Sequence, residues 1–222
     1  MAVDNRIRRF RTFLRSWGKK NVREYPWRNL LDPYSVLVAE FMLHRTQARQ
    51  VQPVYLRFLK AYPSLPDLVQ SPRRSARRIL QPLGLAWRAH AMLDALHELW
   101  RKYGEVPTDF DTLTSVHGIG QYIAGATICF TRNVPIALID SNTVRVVGRV
   151  FGLDLRGEAR RRHDVIETIA MVCDPQHPRD FYYSLIDLAH LICRPREPLC
   201  LTCPLLNVPC VTGQTRVNRS IH

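Results

Sequence analysis

Apolar side chains recur along this chain at helical spacing almost from end to end. Between 86 and 103, Ala89, Leu93, Leu96, Trp100 and Tyr103 follow the i, i+3/i+4, i+7 rule, and Gly104 supplies a stop. Ile7, Phe10, Phe13 and Leu14 repeat at the same period, so 5–20 reads as a docked amphipathic helix. Further helices are predicted near 34–48, 51–61, 73–82, 108–115, 120–132, 141–151, 158–173 and 178–193. Pro63, Pro66, Pro72 and Pro82 punctuate the short middle helices. No strand-like alternation persists, so the fold class is all-α, and there is no internal repeat or low-complexity block. Residues 211–222 read as a polar, basic, mobile tail.

One helix breaks the amphipathic pattern. Val36, Leu37, Val38, Ala39, Phe41, Met42 and Leu43 make it apolar nearly all round, with Glu40 inside the run. Burying a carboxylate alone is expensive, so Glu40 must be paired, protonated or set in a pocket. A structural salt bridge is the plain reading for an isolated glutamate there. The segments Pro26-Trp27-Arg28 and Asp32-Pro33-Tyr34 before it look like helix-entry chemistry, with Asp32 as cap.

Composition limits what such a helical chain does. Its 222 residues suit one or two compact domains with a sizeable core. A hydrophobic content of 46% and a mean hydropathy of −0.18 suit a soluble protein. No apolar run approaches the roughly 20 residues of a membrane span. The basic N-terminus lacks the apolar core and cleavage site of a signal peptide, so a cytoplasmic protein is expected. The balance of 32 basic to 19 acidic residues gives +13 and a pI near 10.0, which favours a polyanion such as nucleic acid. Charge alone leaves anionic membranes and ribosomal surfaces open. Arg73, Arg74, Arg77 and Arg78, with Arg160, Arg161 and Arg162, mostly form solvated helix faces.

Candidate chemistry concentrates in 116–149. Gly118 and Gly120 flank Ile119 where the chain reverses between helices, and glycine there lets backbone N–H groups approach another molecule closely. Amides at such a helix start suit a phosphate oxygen. Twenty residues after Gly120 comes Asp140, then Ser141 and Asn142, at the start of the next helix; alone, this acid is an N-cap. The chain also carries Cys129, Cys173, Cys193, Cys200, Cys203 and Cys210. The last four, spaced C-x6-C-x2-C-x6-C, fit a soft metal far better than disulfides in a chain without export signals. Spacing leaves tetrahedral zinc and a [4Fe–4S] cluster open. Cys129 and Cys173 read as buried small hydrophobes.

Taken together, G-I-G, a helix and I-D-x-N-x-x-R-V resemble the helix-hairpin-helix DNA glycosylases, the superfamily of endonuclease III and MutY. The resemblance implies two helical domains: a helical barrel with the hairpin over 30–135, and 1–29 plus 136–222 carrying a C-terminal iron–sulfur loop. It implies that Val116, His117, Gly118, Ile119 and Gly120 hold the DNA backbone. His117 stands where the family usually has proline. Asp140 then serves the cleaved sugar, with Asn142 assisting in the same turn. P-W-R, D-P-Y and A-E-F-M-L-x-x-T-Q resemble the substrate-pocket helix of the MutY branch, where Glu40 gives a proton to the target base or activates it. An apolar setting that raises its pKa suits a general acid. Arg45 and Gln47 fall on the stretch that enters the minor groove in relatives; a solvated helix end is the alternative reading. Tyr122 occupies the place where strand-cleaving members carry lysine, so base removal without strand scission is expected.

The family's cysteine signature is C-x6-C-x2-C-x5-C, so resemblance favours [4Fe–4S] over zinc on Cys193, Cys200, Cys203 and Cys210, with a final gap one residue longer. Arg179-Asp180-Phe181 through Asp187 to Cys193 matches a further family helix, with Tyr182 and Tyr183 as departures; Asp187 either orients the Asp140 region or is structural. The chain runs 12 residues past Cys210, too few for MutY's lesion-reading domain. The implied activity is therefore a monofunctional glycosylase, monomeric and nucleoid-associated, that acts on T or U opposite G in double-stranded DNA. Ala124-Gly125-Ala126 is more MutY-like and keeps adenine opposite G or 8-oxoguanine as the alternative. A non-catalytic helix-hairpin-helix DNA-binding module remains a third reading.

Overall fold

The computed structural model describes residues 2–84, 86–208 and 210–221, and every regular element among them is helical. In chain order these are α1 (Ala2–Asn21), α2 (Pro33–Leu43), α3 (Ala48–Ala61), α4 (Leu65–Gln70), α5 (Arg73–Leu80), α6 (Ala86–Tyr103), α7 (Phe110–Thr114), α8 (Gln121–Arg132), α9 (Ser141–Phe151), α10 (His163–Val172), α11 (Pro178–Leu191) and α12 (Val211–Ile221). The chain divides into two compact units, Glu24–Arg132 and Met1–Arg23 with Asn133–His222. None of the described helices is long and apolar enough to cross a membrane.

In the unit Glu24–Arg132, α2 is the centre. Its all-round apolar sequence is matched by burial of every residue from Tyr34 to Met42, and it packs on α8 and α3. Asp32 caps it, accepting from Ser35 N–H at 2.8 Å and Ser35 Oγ at 2.7 Å, with Pro33 preset for the first turn. Two threonines buried on α8 close their hydroxyls onto their own helix, Thr127 to the Ile123 carbonyl and Thr131 to that of Thr127. A helix over 34–48 was expected; α2 instead ends at Leu43, because residues 43–46 form a tight turn.

Helix α6 has the expected bounds and stops at Gly104, whose φ of +71° suits glycine and whose N–H reaches the Trp100 carbonyl at 2.9 Å. The expected core stripe is partly corrected. Met92, Leu93, Ala95, Leu96 and Leu99 are buried, whereas Trp100 and Tyr103 are 36% and 42% exposed. Periodicity gives the direction of a helix face; its extent depends on which neighbours cover it, here α4, α5 and α2. The six-residue α4 escapes periodicity altogether and is fixed by a capping box between Ser64 and Asp67.

The other unit is built from both parts of the chain. α1 lies mainly along α11, and Phe10 meets Phe151 and Phe181 edge to face at 5.6 and 5.9 Å. Gly18 makes the close approach possible: a Cβ there would fall 1.9 Å from Ser184 Oγ. Arg11 caps the C-terminal end of α10 through the carbonyls of Met171, Val172 and Cys173. Fully buried Asp187 is gripped by Arg23, from its backbone N–H at 2.7 Å, Nε at 3.0 Å and Nη2 at 2.6 Å. That fixes Asp187 as a tie between the end of α1 and α11. The segment 211–222 is also corrected: 211–221 is helical, and α12 packs on α9.

Candidate functional site

The glycine turn lies between α7 and α8. Val116 N–H bonds to the Leu113 carbonyl at 3.2 Å and Ile119 N–H to that of Val116 at 3.1 Å. Val116 and Ile119 are buried anchors, while His117, Gly118 and Gly120 face solvent. Gly118 is required by its backbone: its φ is +90°, while a Cβ there would make only ordinary contact with Ala91. The five expected DNA-binding positions thus divide into two that seat the hairpin and three that present backbone.

Glu40 sits on α2 between Ala39 and Phe41 and is 5% exposed. Tyr122 is half-buried in the first turn of α8. Arg45 is exposed in the turn after α2, with φ of +60°, and exposed Gln47 takes the N-cap position of α3. His44, beside them, is held below the ordinary histidine range by burial and by Arg45 and Arg88, so it is neutral near pH 7. Its ring stands edge-on to that of Trp87, 6.3 Å away. Trp87, 53% exposed, was not singled out by the sequence; a tryptophan in a helical segment reads first as core.

In the other unit, Asp140 is the N-cap of α9. One carboxylate oxygen accepts from Thr143 N–H at 2.6 Å, the other from Asn142 Nδ2 at 2.9 Å. Asn142 in turn accepts from Arg145 Nη2 at 3.0 Å, and Arg145 also donates to the carbonyls of Ala189 and Cys193. Ahead of the cap, Leu138 N–H donates to Tyr182 Oη at 3.0 Å, and Tyr182 is fully buried on α11. The carboxylate is thus held locally by Asn142 and Thr143, while the backbone before it and Arg145 after it are tied to α11 and to Cys193, just past its end.

The four C-terminal cysteines all line one cavity, walled by Val146, Val150, Leu188 and Leu205 among others. Arg149 Nη1 points at Cys193 Sγ from 3.4 Å, and Gly213 N–H at Cys210 Sγ from 3.4 Å. Burial pushes the Cys203 thiol up to about 12, with Cys193, Cys210 and Cys200 adding to the effect. Four cysteines thus share the lining of one largely apolar cavity, with N–H donors aimed at two of the sulfurs. Among the described residues no three His, Cys, Asp or Glu side chains converge as a single bound ion requires. Cys129 is buried on α8 as expected; Cys173 is buried too, but just past the end of α10 rather than within a helix. The roles of Arg145 and Arg149 went unread because their partners are carbonyls more than forty residues away.

No protein-family model matches the chain. It is 34% identical to a thymine/uracil-DNA glycosylase of Pyrobaculum aerophilum, over 94% of this chain and 93% of that protein. It is 30% identical to an adenine DNA glycosylase of Buchnera aphidicola subsp. Baizongia pistaciae, over 85% of this chain but 53% of that protein. Among solved structures, a thermostable thymine-DNA glycosylase superposes with a TM-score of 0.87 at 26% identity, covering 97% of this chain and 100% of the other.

Proposed function

Because the chain belongs to the helix-hairpin-helix DNA glycosylases, in the branch of the thymine/uracil-DNA glycosylases, it is a DNA N-glycosylase, and we propose a division of labour among its residues. The substrate is thymine or uracil opposite guanine in duplex DNA. The observation that carries the assignment is the fixed carboxylate of Asp140, held by Thr143 N–H and Asn142 in a form that accepts hydrogen bonds.

Breaking the N-glycosidic bond builds positive charge on the sugar. The Asp140 carboxylate, preoriented by Thr143 and Asn142, stabilises that charge without reorganising at the moment of reaction. The bonding pair leaves with the base, the oxygen of water forms the new C–O bond, and the proton that water loses ends on the departed base, directly or by replacing one that Glu40 gives. Glu40, a carboxyl buried in an apolar helix, suits the base side, where it protonates or hydrogen-bonds the departing ring. His117, Gly118 and Gly120 hold phosphate through backbone N–H groups, while Arg45 and Gln47 reach into the duplex where the nucleotide is extruded. Tyr122 offers no amine, so the abasic strand stays whole.

Cys193, Cys200, Cys203 and Cys210 are the residues that would hold a [4Fe–4S] cluster. What supports the reading is that all four cysteines line the same cavity, and the resemblance of their spacing to the family's signature favours a cluster over zinc. Its contribution is structural: it fixes the loop from Cys193 to α12. Iron, zinc and sulfide analysis of the purified protein tests this; stoichiometric zinc without iron would overturn it.

The activity is tested by single-turnover assays on labelled duplexes carrying G·T, G·U, A·G, A·8-oxoguanine or only normal pairs, each read with and without hot alkali. Alkali-dependent breaks at G·T and G·U are expected. Breaks only at adenine mispairs would move the chain to the adenine branch, which the Buchnera relative favours. Breaks without alkali would refute the role given to Tyr122.

A further inference from the structure

The turn after α2 departs from a backbone rule. Thr46 N–H closes it onto the Leu43 carbonyl at 3.1 Å. His44 has φ −60° and ψ 110°, and Arg45 has φ +60°. Those angles define a type II turn, whose third residue is ordinarily glycine, since any side chain there is strained. The fold alone gives no reason for arginine at 45. Glycine would make the same turn without a brace, so a side chain kept at a strained position points to a task for that side chain.

The brace is Arg88, in the first turns of α6 and only 4% exposed. Its Nη1 donates to the His44 carbonyl and, at 2.8 Å, to Thr46 Oγ1, one residue to each side of Arg45. Its Nη2 reaches the Leu83 carbonyl at 3.2 Å, just before Gly84, which is also left-handed at φ +66°. One buried guanidinium thus fastens two turns. Arg88 lines one small cavity together with the apolar side chains of Phe41, Met42, Leu80 and Met92. A buried cation is costly where methionine would pack, unless its hydrogen bonds fix something.

We infer that Arg88 is a positioning residue: it holds the 43–46 turn in the conformation that presents Arg45 to the DNA. This rests on the reading of the chain as a DNA glycosylase, and it adds a residue that touches neither base nor sugar. Arg88 acts through Arg45, so the two changes must be non-additive.

The test is a double-mutant cycle on the full chain with Arg88→Met, Arg45→Gly and the pair, plus Arg88→Lys and Thr46→Val. Saturated single-turnover excision at G·T, affinity for a duplex with a stable abasic analogue, and melting temperature are read for each. Arg88→Met should slow excision about tenfold or more in the native background, and less than about twofold in the Arg45→Gly background. Thr46→Val, which removes one bond and leaves the cavity alone, should show a smaller loss with unchanged melting, and Arg88→Lys should recover only part of the rate. Equal losses in both backgrounds, or a melting change without a rate change, would overturn the inference. If Arg88→Met does not fold, Thr46→Val with and without Arg45→Gly gives the same comparison. If wild type excises no base, the glycosylase reading fails by itself, and the coupling is then judged by affinity for the abasic duplex under the same criterion.

Discussion

Asp140 does two things with one carboxylate: it caps α9 through Thr143 and is held by Asn142. The roles separate on substitution, because asparagine caps a helix about as well as aspartate but carries no charge. Asp140→Asn should leave the melting temperature nearly unchanged and lower single-turnover excision by roughly 10²–10³-fold. A fall in both together would mean that the residue is mainly structural. Tyr182→Phe probes the other side. It strips the Leu138 N–H of its buried acceptor, at a cost of roughly 1–3 kcal/mol in chemical denaturation, and excision should fall with it. Asp140 was legible in the sequence because capping is local, an acid followed within three residues by the amide it accepts. Arg145, Tyr182 and Arg88 were not, because their partners are backbone groups brought near only by tertiary packing. The left-handed Arg45 was least legible of all, since it breaks the rule by which turns are found.

Helices speak through periodicity, and the bounds of α6 and α9 were readable for that reason: each has an apolar stripe and a glycine with positive φ just past its end. The tail read as mobile is the counterexample. Val211 lies against Gly152 and Gly213 N–H meets Cys210 Sγ, so α12 is set by neighbours rather than by composition. The contact of α1 with α11 gives the sharpest test at this scale. Helix propensity alone favours Gly18→Ala by about 1 kcal/mol. Packing opposes it, because the new methyl would overlap Ser184 Oγ and approach its Cβ to 2.7 Å. Overpacking costs roughly 1–3 kcal/mol, so the variant should melt lower, and Ser184→Gly in the same chain should restore much of the loss. A Gly18→Ala protein more stable than wild type would show that the two helices separate at little cost.

For the molecule as a whole, +13 is the quantity that governs encounter with DNA. Each phosphate neutralised should contribute a slope of roughly −0.9 to log K against log salt, so six to ten contacts would weaken binding by about 10³–10⁵ between 50 and 200 mM. Titrating an undamaged duplex across that range gives the number directly; a flat response would contradict a backbone-held hairpin. The division of the chain has another consequence, one of timing. The unit Glu24–Arg132 is continuous and can collapse as soon as it has been made. Helix α1 cannot bury its stripe then, because Phe10 waits for Phe181, about 170 residues later. At roughly 5–20 residues per second, that leaves Phe10 and Leu14 uncovered for about ten to thirty seconds on every ribosome. The arginines interleaved along the same helix keep it soluble while it waits, and chains stalled between the two segments should be those that holding chaperones retain.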